Sequence, residues 1–336
     1  MAHRGGRPSI ESVATAAGVS PTTVSHALSG KRAVSESTRQ RIMTAIEEQN
    51  YRPNMVARGL RSKRTLSVAL LLVDIANPYY PAVARAVHDV LAEEGYVSFI
   101  GNTDGQALVE RQLLEEMVAR GVDGVVMQPM GLSSAEVREV VGPLMPLVVT
   151  TTDPGEVPAD SVLTNDALGL DEALAHLMAN GKHSFGYIAG PSDAAAGPLR
   201  ADVFRQVLTA AGATIRDRWT ETAPLTRSGG AQAATRLLGR VDRPSAILCA
   251  NDLIAMGATE AARAAGLRVP EDVAVVGFDD IDMADLVTPR LTTVVNPAAE
   301  VGDACARTIL WRVANGPAAP FRRIVLKTRL VVRESA

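Results

Sequence analysis

Near the start of the chain, a group of small hydroxyl side chains and one imidazole stands in a short segment with few acidic residues. The segment VSPTTVSHAL carries Ser20, Thr22, Thr23, Ser25 and His26. Hydroxyl groups and helix N-terminal amides suit contacts with phosphate oxygens, and exposed residues of a helix's first turn can reach base edges in a major groove. These residue types therefore point to nucleic-acid chemistry rather than to catalysis.

The charge distribution favours the same interpretation. The first 64 residues carry eleven Lys or Arg and four Glu, a net charge of +7, whereas the rest of the chain has a net charge of −10. A basic head on an acidic body is typical of a chain that places one end on a polyanion. A solvated basic tail would carry the same charge, so charge alone leaves both readings open.

A second chemical cluster lies far along the chain, where Asp279, Asp280 and Asp282 follow the apolar run VAVVGF. Carboxylates at a strand end can form an acid pair, hold a metal, or accept hydrogen bonds from a ligand. The first two uses lack support, because the sequence contains no P-loop, G-x-S-x-G, H-E-x-x-H or C-x-x-C motif, and its five histidines show no metal-ligand spacing. We expect no catalytic residue, metal or cofactor. We interpret the Asp cluster as a turn whose carboxylates bind a ligand or cap the chain.

The hydroxyl cluster needs helices to position it, and the residues around it predict three. Gly18 ends the first helix, Ser20 caps the second with Pro21 at its first position, and Ser35 caps the third. The predicted inward positions are Ile10, Val13, Ala14, Ala17, Val24, Ala27, Leu28, Ile42 and Ile46. This is a helix-turn-helix unit; a helical bundle that contacts protein would use the same geometry.

From Thr65 onward, apolar runs such as LSVALLLV and VAVVGFDD alternate with amphipathic helical segments. Continuous apolar strands alternating with helices predict parallel sheets that are covered on both faces. Some dozen elements are too many for one compact sheet. The predicted fold class is therefore an α-helical helix-turn-helix head followed by an α/β core of two doubly wound parallel-sheet lobes, with ligands beyond the carboxyl ends of the strands.

The fragments VATAAGVSPTTVS (13–25) and YRPNMVARGL (51–60) resemble the lac-repressor (LacI/GalR) family of bacterial transcription regulators in both spacing and identity. The resemblance implies that residues from Asn54 to about Arg61 fold as a hinge helix when two copies meet in the minor groove, with Leu60 as an apolar wedge. The implied DNA-contacting set is Ser20, Pro21, Thr22, Thr23, Ser25, His26, Tyr51, Asn54, Ala57 and Leu60.

One residue of that set departs from the family pattern. Many relatives carry Arg where this chain has His26. Arg binds guanine in a bidentate manner, whereas one imidazole makes a single hydrogen bond and can titrate. The base preference of other family members is therefore not transferable to this chain.

The core motifs DIANPYYPAV (74–83), GYIAGP (186–191), ANDLIAMGA (250–258) and VVGFDDIDMADLVTPRLTTV (275–294) also resemble this family and the related periplasmic-binding-protein fold. The resemblance implies a head (1–53), a hinge and linker (54–64) and a core (65–336). The expected N-lobe is about 65–160 plus 292–320, and the expected C-lobe about 161–291 plus 321–336. The implied effector-binding residues are Tyr79, Tyr80, Gln128, Arg200, Asn251 and Asp279.

The expected effector is a sugar or related metabolite, although Ala194, Ala195, Ala196 and Val203 replace polar positions of relatives, and Pro224 and Ala298 fall near positions where some relatives have aromatics. The predicted protein is a homodimeric repressor that binds pseudo-palindromic double-stranded operator DNA under effector control. The alternatives are an activator of the same family or a solute-binding protein without export. Two thiols, Cys249 and Cys305, and the lack of a signal-peptide or membrane-length apolar run predict a cytoplasmic protein.

Overall fold

A computed structural model describes residues 8–29, 32–52, 64–150, 158–191, 196–213 and 216–336. The chain forms two compact units, Met1–Thr65 and Leu66–Ala336, which we describe separately as the head and the core. None of the helices in these described ranges is long and apolar enough to span a membrane.

The head contains the three predicted helices, α1 (Ile10–Ala17), α2 (Pro21–Ser29) and α3 (Glu36–Glu48). Gly18 ends α1 with φ of 66°, a left-handed conformation that glycine adopts without a steric penalty. The Ser20 hydroxyl accepts the Thr23 amide at 3.1 Å, and the Ser35 hydroxyl accepts the Thr38 amide at 3.4 Å, so both predicted caps are confirmed.

The core of the head is small and apolar. It is formed by Val13, Ala14, Ala17, Val24, Ala27, Ile42, Ala45 and Tyr51, with Ile10 and Ile46 packed at its edge. Leu28 was expected to face inward, but its side chain is exposed and does not join this apolar core, because it lies in the last turn of α2, near the end of the helix. Among the described side chains of α2, Val24 and Ala27 are the two that are buried in this core.

The core alternates strands and helices along nearly its whole length. Its strands are β1 (Ser67–Leu72), β2 (Val97–Asn102), β3 (Gly124–Met127), β4 (Leu147–Val149), β5 (Asp160–Asn165), β6 (Phe185–Ala189), β7 (Thr220–Thr222), β8 (Ala246–Cys249), β9 (Ala274–Asp279), β10 (Thr292–Val295), β11 (Arg323–Lys327) and β12 (Arg329–Val331). Its α-helices are α4 (Tyr79–Glu93), α5 (Ala107–Arg120), α6 (Ser134–Val141), α7 (Asp166–Ala179), α8 (Ala196–Ala210), α9 (Arg227–Leu238), α10 (Asp252–Ala264) and α11 (Ala298–Asn315), and two short 3-10 turns span Asp217–Trp219 and Asp282–Asp285.

These strands form two six-stranded sheets, as the sequence predicted. The N-lobe sheet has the order β11-β5-β4-β3-β1-β2 and is parallel throughout. The C-lobe sheet has the order β12-β10-β9-β8-β6-β7, and only β12 is antiparallel to its neighbour. Alternate residues of β1 enter different apolar clusters, since Leu70 packs towards α4 and α11 while Leu71 packs towards α5 and α6. The lobes are therefore doubly wound.

The lobe boundaries differ from the expected ones. Strand β5 and the tail strand β11 belong to the N-lobe sheet and β10 belongs to the C-lobe sheet, each opposite to the expected assignment, whereas β12 lies in the C-lobe sheet as expected. Strands that are short or rich in polar residues carry little information on which sheet they join, and a single residue, Thr328, separates β11 from β12. The chain crosses between the lobes between β5 and α7, between β10 and α11, and at Thr328, whose hydroxyl donates to the Asn165 carbonyl at 2.7 Å.

Candidate functional site

The first candidate site is the exposed face of α2 in the head. Ser20, Pro21 and Thr22 are exposed, and Ser25 and His26 are half-buried on the same helix. The hydroxyls of Ser20 and Thr23 lie 2.9 Å apart within the cap of α2. The first turn of α2 thus presents its predicted contact residues on a surface braced by α1 and α3, which is the arrangement a major-groove helix requires.

The structure describes only one of the four other predicted DNA contacts. Asn54, Ala57 and Leu60 lie outside the described residues. The Tyr51 side chain is only 9% exposed and belongs to the apolar core of the head. Its ring therefore supports the fold of the head, a role that its place at the start of the motif YRPNMVARGL did not indicate.

The second candidate site is a cleft in the core. It is lined by all six of the predicted effector residues, Tyr79, Tyr80, Gln128, Arg200, Asn251 and Asp279, together with Asn77, Met130, Thr150, Val162, Leu163, Thr164, Gly190, Pro191, Leu225, Ala250, Asn296 and Val301. Most of these residues lie at or after the carboxyl ends of strands in both lobes, where doubly wound sheets bind ligands. Ten of these eighteen residues have polar side chains, and the rest of the wall is apolar, so the cleft can combine hydrogen bonds with apolar contacts to a small molecule.

Arg200 is the cation of the cleft, and the protein holds it on three sides. Its Nε donates to Asp166 Oδ2 at 3.0 Å, and its Nη1 donates to the Ala250 carbonyl at 2.8 Å. The guanidinium carbon lies 4.0 Å from the centre of the Phe278 ring. Because Asp166 begins α7 directly after the first crossover, Arg200 is bonded to a segment that joins the lobes.

Asp279 is the carboxylate of the cleft, at the last residue of β9. Its Oδ1 accepts the side-chain amide of Asn296 at 3.1 Å, and Asn296 lies in the second crossover. Burial raises the pKa of Asp279 to about 6, against the lowering effects of Arg200 and of hydrogen bonds from Asn296 and Asn77. At neutral pH the Asp279 carboxylate is therefore an ionised hydrogen-bond acceptor that is poorly hydrated.

The tyrosines form the N-lobe wall of the cleft. Tyr79 and Tyr80 begin α4, and their rings meet edge to face with centroids 5.3 Å apart. The Tyr79 hydroxyl donates to Asn296 Oδ1 at 3.2 Å. Burial raises the pKa of both phenols, so both stay protonated donors at neutral pH. Tyr79, Asn296 and Asp279 therefore form one hydrogen-bonded chain across the cleft.

Asn251 lines the cleft but already has a structural task. Its Oδ1 accepts the Ile254 amide at 2.8 Å as the N-cap of α10, and its Nδ2 donates to the Leu225 carbonyl at 3.2 Å. An amide has two donor hydrogens and two lone pairs, so one of each is left for a ligand. The expected ligand contact and the cap are compatible.

Three residues of the cleft's framework were not identified from the sequence. Asn296 and Asn77 line the cleft, and each supports a tyrosine or the carboxylate described above. Glu110 is fully buried and accepts the amides of residues 130–132 at 2.8 to 3.2 Å, which fixes the loop after Gln128. A signal for Glu110 was present, because it shares a helical face with the buried residues Leu114 and Met117.

The positions where the sequence departs from relatives are only partly described. Ala194 and Ala195 lie outside the described residues, as does the side chain of Ala196. Val203 packs at the edge of the C-lobe core, and Ala298 packs at the edge of an N-lobe cluster. Among the described residues the cleft lining includes Val162, Leu163 and Leu225 but not Val203, Pro224 or Ala298.

The raised pKa of Asp279 predicts a pH effect on the ligand-free protein. Since the folded-state value of about 6 exceeds the ordinary value of 3.8, the folded state binds this proton more tightly. We expect the free energy of unfolding to fall by about 1 kcal/mol from this group as pH rises from 5 to 7. Chemical denaturation at both pH values measures it.

Asp279→Asn is the matched control for that experiment, because it removes the titration and keeps the shape. The difference in unfolding free energy between pH 5 and pH 7 should shrink in this variant. A smaller difference should remain from Asp252, because burial raises the pKa of that residue as well. An unchanged difference in Asp279→Asn would show that Asp279 titrates alike in the folded and unfolded states.

Comparisons with known proteins bear on both sites. Residues 9–54 match the model of bacterial regulatory proteins of the lacI family, and residues 174–336 match a periplasmic binding protein-like domain. The ribose operon repressor of Haemophilus influenzae is 32% identical over 326 residues, which cover 97% of this chain and 98% of that protein.

Solved structures of transcriptional regulators are also similar to this chain over nearly its whole length. The complex of the transcriptional regulator CelR with cellobiose has a TM-score of 0.73 and 31% identity, covering 98% of this chain and 100% of that one. The Lac repressor dimer bound to operator and the anti-inducer ONPF has a TM-score of 0.89 over 98% of this chain and 99% of that one. At 24% identity, that second likeness shows the fold.

A helix-turn-helix head followed by a two-lobed core whose cleft is lined by polar and aromatic side chains from both lobes defines a class of DNA-binding transcriptional regulators. The chain belongs to the lacI family of bacterial regulatory proteins, on the evidence of the matched family model and of full-length relatives above 30% identity.

Proposed function

We propose that the protein is a homodimeric repressor whose affinity for a pseudo-palindromic operator is changed by a small sugar bound in the core cleft. The observation that carries the proposal is the cleft itself, where Arg200, Asp279 and Tyr79 share a lining with further polar and apolar side chains. An ionised carboxylate accepts hydrogen bonds from vicinal hydroxyls, a guanidinium donates to ring or hydroxyl oxygens, and aromatic rings cover the C–H faces of a sugar.

The relatives narrow the choice of sugar. One full-length relative is named a ribose operon repressor, and a similar structure is titled as a complex with cellobiose. D-ribose and cellobiose are therefore the first two ligands to compare. Since the sugar's hydroxyls require the ionised form of Asp279, its affinity should fall as pH drops through about 6.

The contacts of the cleft supply a route from ligand to DNA. Arg200 is bonded to Asp166 after the first crossover, and Asp279 is bonded to Asn296 in the second. A ligand that engages both residues acts on side chains already tied to two of the segments about which the lobes move. Different affinities for two lobe arrangements would couple sugar to operator by about 1–3 kcal/mol.

Exposed apolar residues on the core support the homodimer. Val97, Phe99 and Ile100 are exposed on edge strand β2 of the N-lobe, and Met283 and Leu286 are exposed on the C-lobe. Exposed apolar side chains of this size mark surfaces that a partner can cover. A palindromic operator needs two heads, which a symmetric pair of cores would supply.

The proposal is tested with the full chain and with DNA from upstream of its own gene. Thermal shift with D-ribose and cellobiose identifies the ligand, and fluorescence anisotropy then measures DNA affinity with and without it. Repression predicts that a reporter driven by that DNA rises when the gene is deleted, whereas an activator would lower it. Lack of a salt-dependent preference for the upstream DNA over random DNA would contradict the whole proposal.

His26 sets a prediction for operator choice. We expect His26→Arg to change the preferred bases of the half-site, since Arg binds guanine in a bidentate manner and a good pair discriminates by about 1–3 kcal/mol. Selection from a randomised-site DNA library measures the preference. His183→Arg makes the same substitution at an exposed histidine of the C-lobe and should leave it unchanged. Identical preferences in His26→Arg and the unaltered protein would rule out base reading by this residue.

A further inference from the structure

The turn that carries Asp279 into the cleft has an unfavourable backbone. Asp279 has φ of 113° and Asp280 has φ of 56°, two successive non-glycine residues in the left-handed half of conformational space. Such conformations persist only where the surroundings hold them. The backbone bond from the Asn296 amide to the Asp279 carbonyl is long, at 3.4 Å, so it holds this turn weakly.

Asp252 supplies a stronger hold. This fully buried residue is the first of α10, directly after the cleft residue Asn251. Its Oδ2 accepts the amide of Ile281, the residue after the strained pair, at 2.9 Å. Its Oδ1 accepts the hydroxyl of Thr293 at 2.5 Å, and Thr293 is fully buried on β10. One carboxylate therefore connects the turn to the strand that leads into the second crossover.

The local sequence makes room for this carboxylate. Gly277 lies beside Thr293 in the register of β9 and β10. A Cβ placed on Gly277 would stand 2.1 Å from Asp252 Oδ1, so only glycine lets the carboxylate lie against β9. Three separate positions, Asp252, Gly277 and Thr293, are thus shaped around one buried contact.

We propose that Asp252 is a positioning residue of the cleft: its carboxylate, fixed by Thr293, holds residues 279–281 in the conformation that directs the Asp279 side chain at the ligand. The inference rests on the proposed function of the cleft. Asp252 does not itself line the cleft, so it acts on the ligand through Asp279.

The first test needs no ligand: it measures the hydrogen exchange of individual backbone amides in the full chain by NMR. Thr293→Val removes the bond to Oδ1 with little change of shape, and Thr293→Ser keeps it. We expect the Ile281 amide to exchange about tenfold faster in Thr293→Val and normally in Thr293→Ser. The Val275 amide, which donates to the Ser335 carbonyl at 2.8 Å in the same sheet, should change much less.

Thr308→Val is the matched control, because Thr308 is a buried threonine whose hydroxyl makes no hydrogen bond with any described residue. It should leave Ile281 exchange unchanged. Equal acceleration of Ile281 and Val275 in Thr293→Val would reduce Asp252 to a general stabiliser and overturn the proposal, as would unchanged exchange of Ile281.

The second test measures D-ribose affinity by calorimetry in the same variants. We expect an affinity loss of about tenfold in Thr293→Val, with recovery in Thr293→Ser. Unchanged affinity beside selectively faster Ile281 exchange would overturn the positioning role. If the unaltered protein does not bind D-ribose, that choice of sugar is wrong, and the amide measurement alone decides whether Asp252 holds the turn.

Discussion

Replacing Arg200 by methionine is expected to abolish sugar binding and to lower the free energy of unfolding by about 3 kcal/mol. The loss is large because the side chain of Asp166, which accepts Arg200 Nε at 3.0 Å, is only 1% exposed. Methionine fills much of the space but leaves that carboxylate buried without its cation. It also removes the donor to the Ala250 carbonyl and the cation over Phe278.

Two further variants separate the structural and ligand-binding parts of this effect. The pair Arg200→Met with Asp166→Asn should recover most of the stability, since no unpaired charge remains buried, but should not recover sugar binding. Arg205→Met is the matched control on the same helix, because its ion pair with Asp202 is half exposed, and its unfolding midpoint should stay close to that of the unaltered protein.

Stability is measured by guanidinium unfolding at pH 7, monitored by circular dichroism. Affinity for D-ribose or cellobiose is measured by calorimetry. Arg200→Met with the stability of the unaltered protein would mean that Asp166 is satisfied by its other bond, from the Thr164 hydroxyl at 2.7 Å. Arg200→Met with undiminished sugar affinity would remove Arg200 from the proposed site.

The head shows how far local sequence signals reach. Gly18, Ser20 and Ser35 set helix ends through their own backbone or side chain, so their roles could be predicted and are confirmed. The exposure of Leu28 could not, because it depends on how the helices of the head pack against one another. Tyr51 was assigned by its place in a motif, and the motif says nothing about which way its ring points.

The core shows where pattern stops being sufficient. Strands with continuous apolar runs, such as β1 and β9, were evident, whereas β5, β7 and β10 are short or rich in Asp, Ser, Thr and Asn. The tail strand β11 alternates exposed and half-buried residues, so its composition does not select a lobe. The division into lobes therefore depended on tertiary pairing that no local pattern encodes.

In the cleft, likewise, some residues could be predicted from the sequence and others could not. Its six predicted residues came from motif resemblance, and they lie together. The groups that orient them, Asn296, Glu110 and Asp252, act across sequence distances that only the fold closes, such as the 41 positions between Asp252 and Thr293. Buried acceptors of backbone amides can be suspected from sequence, when an acid falls on an apolar helical face, but their partners cannot.

The largest expected effect on stability outside the cleft is at Arg312. Arg312→Met should lower the free energy of unfolding by about 3–5 kcal/mol, because it leaves the Asp160 carboxylate buried without its partner. The two side chains are 3% and 1% exposed and form a bidentate pair with N–O distances of 2.7 and 2.8 Å. The free energy of unfolding of a typical domain is only about 5–15 kcal/mol, so Arg312→Met would bring the N-lobe close to unfolding.

Arg312 also organises the chain after α11, which explains why lysine should not replace it. Its Nη1 donates to the carbonyls of Gly316 and Ala319, at 3.2 and 2.6 Å, and its Nη2 donates to that of Pro320 at 2.9 Å. A lysine ammonium has three donors at one point and cannot make the bidentate pair and these three bonds together. Arg312→Lys should therefore recover only a small part of the lost stability.

Arg307 provides a matched control on the same helix, since it pairs with Asp303 at 2.8 Å but both side chains are largely exposed. Arg307→Met should leave the guanidinium midpoint within experimental error of the unaltered protein. Equal midpoints for Arg307→Met and Arg312→Met would show that burial adds nothing to the second pair. Because β11 joins the N-lobe sheet directly after the loop that Arg312 holds, Arg312→Met should also speed amide exchange in β5 and β11 before it does so in the C-lobe sheet.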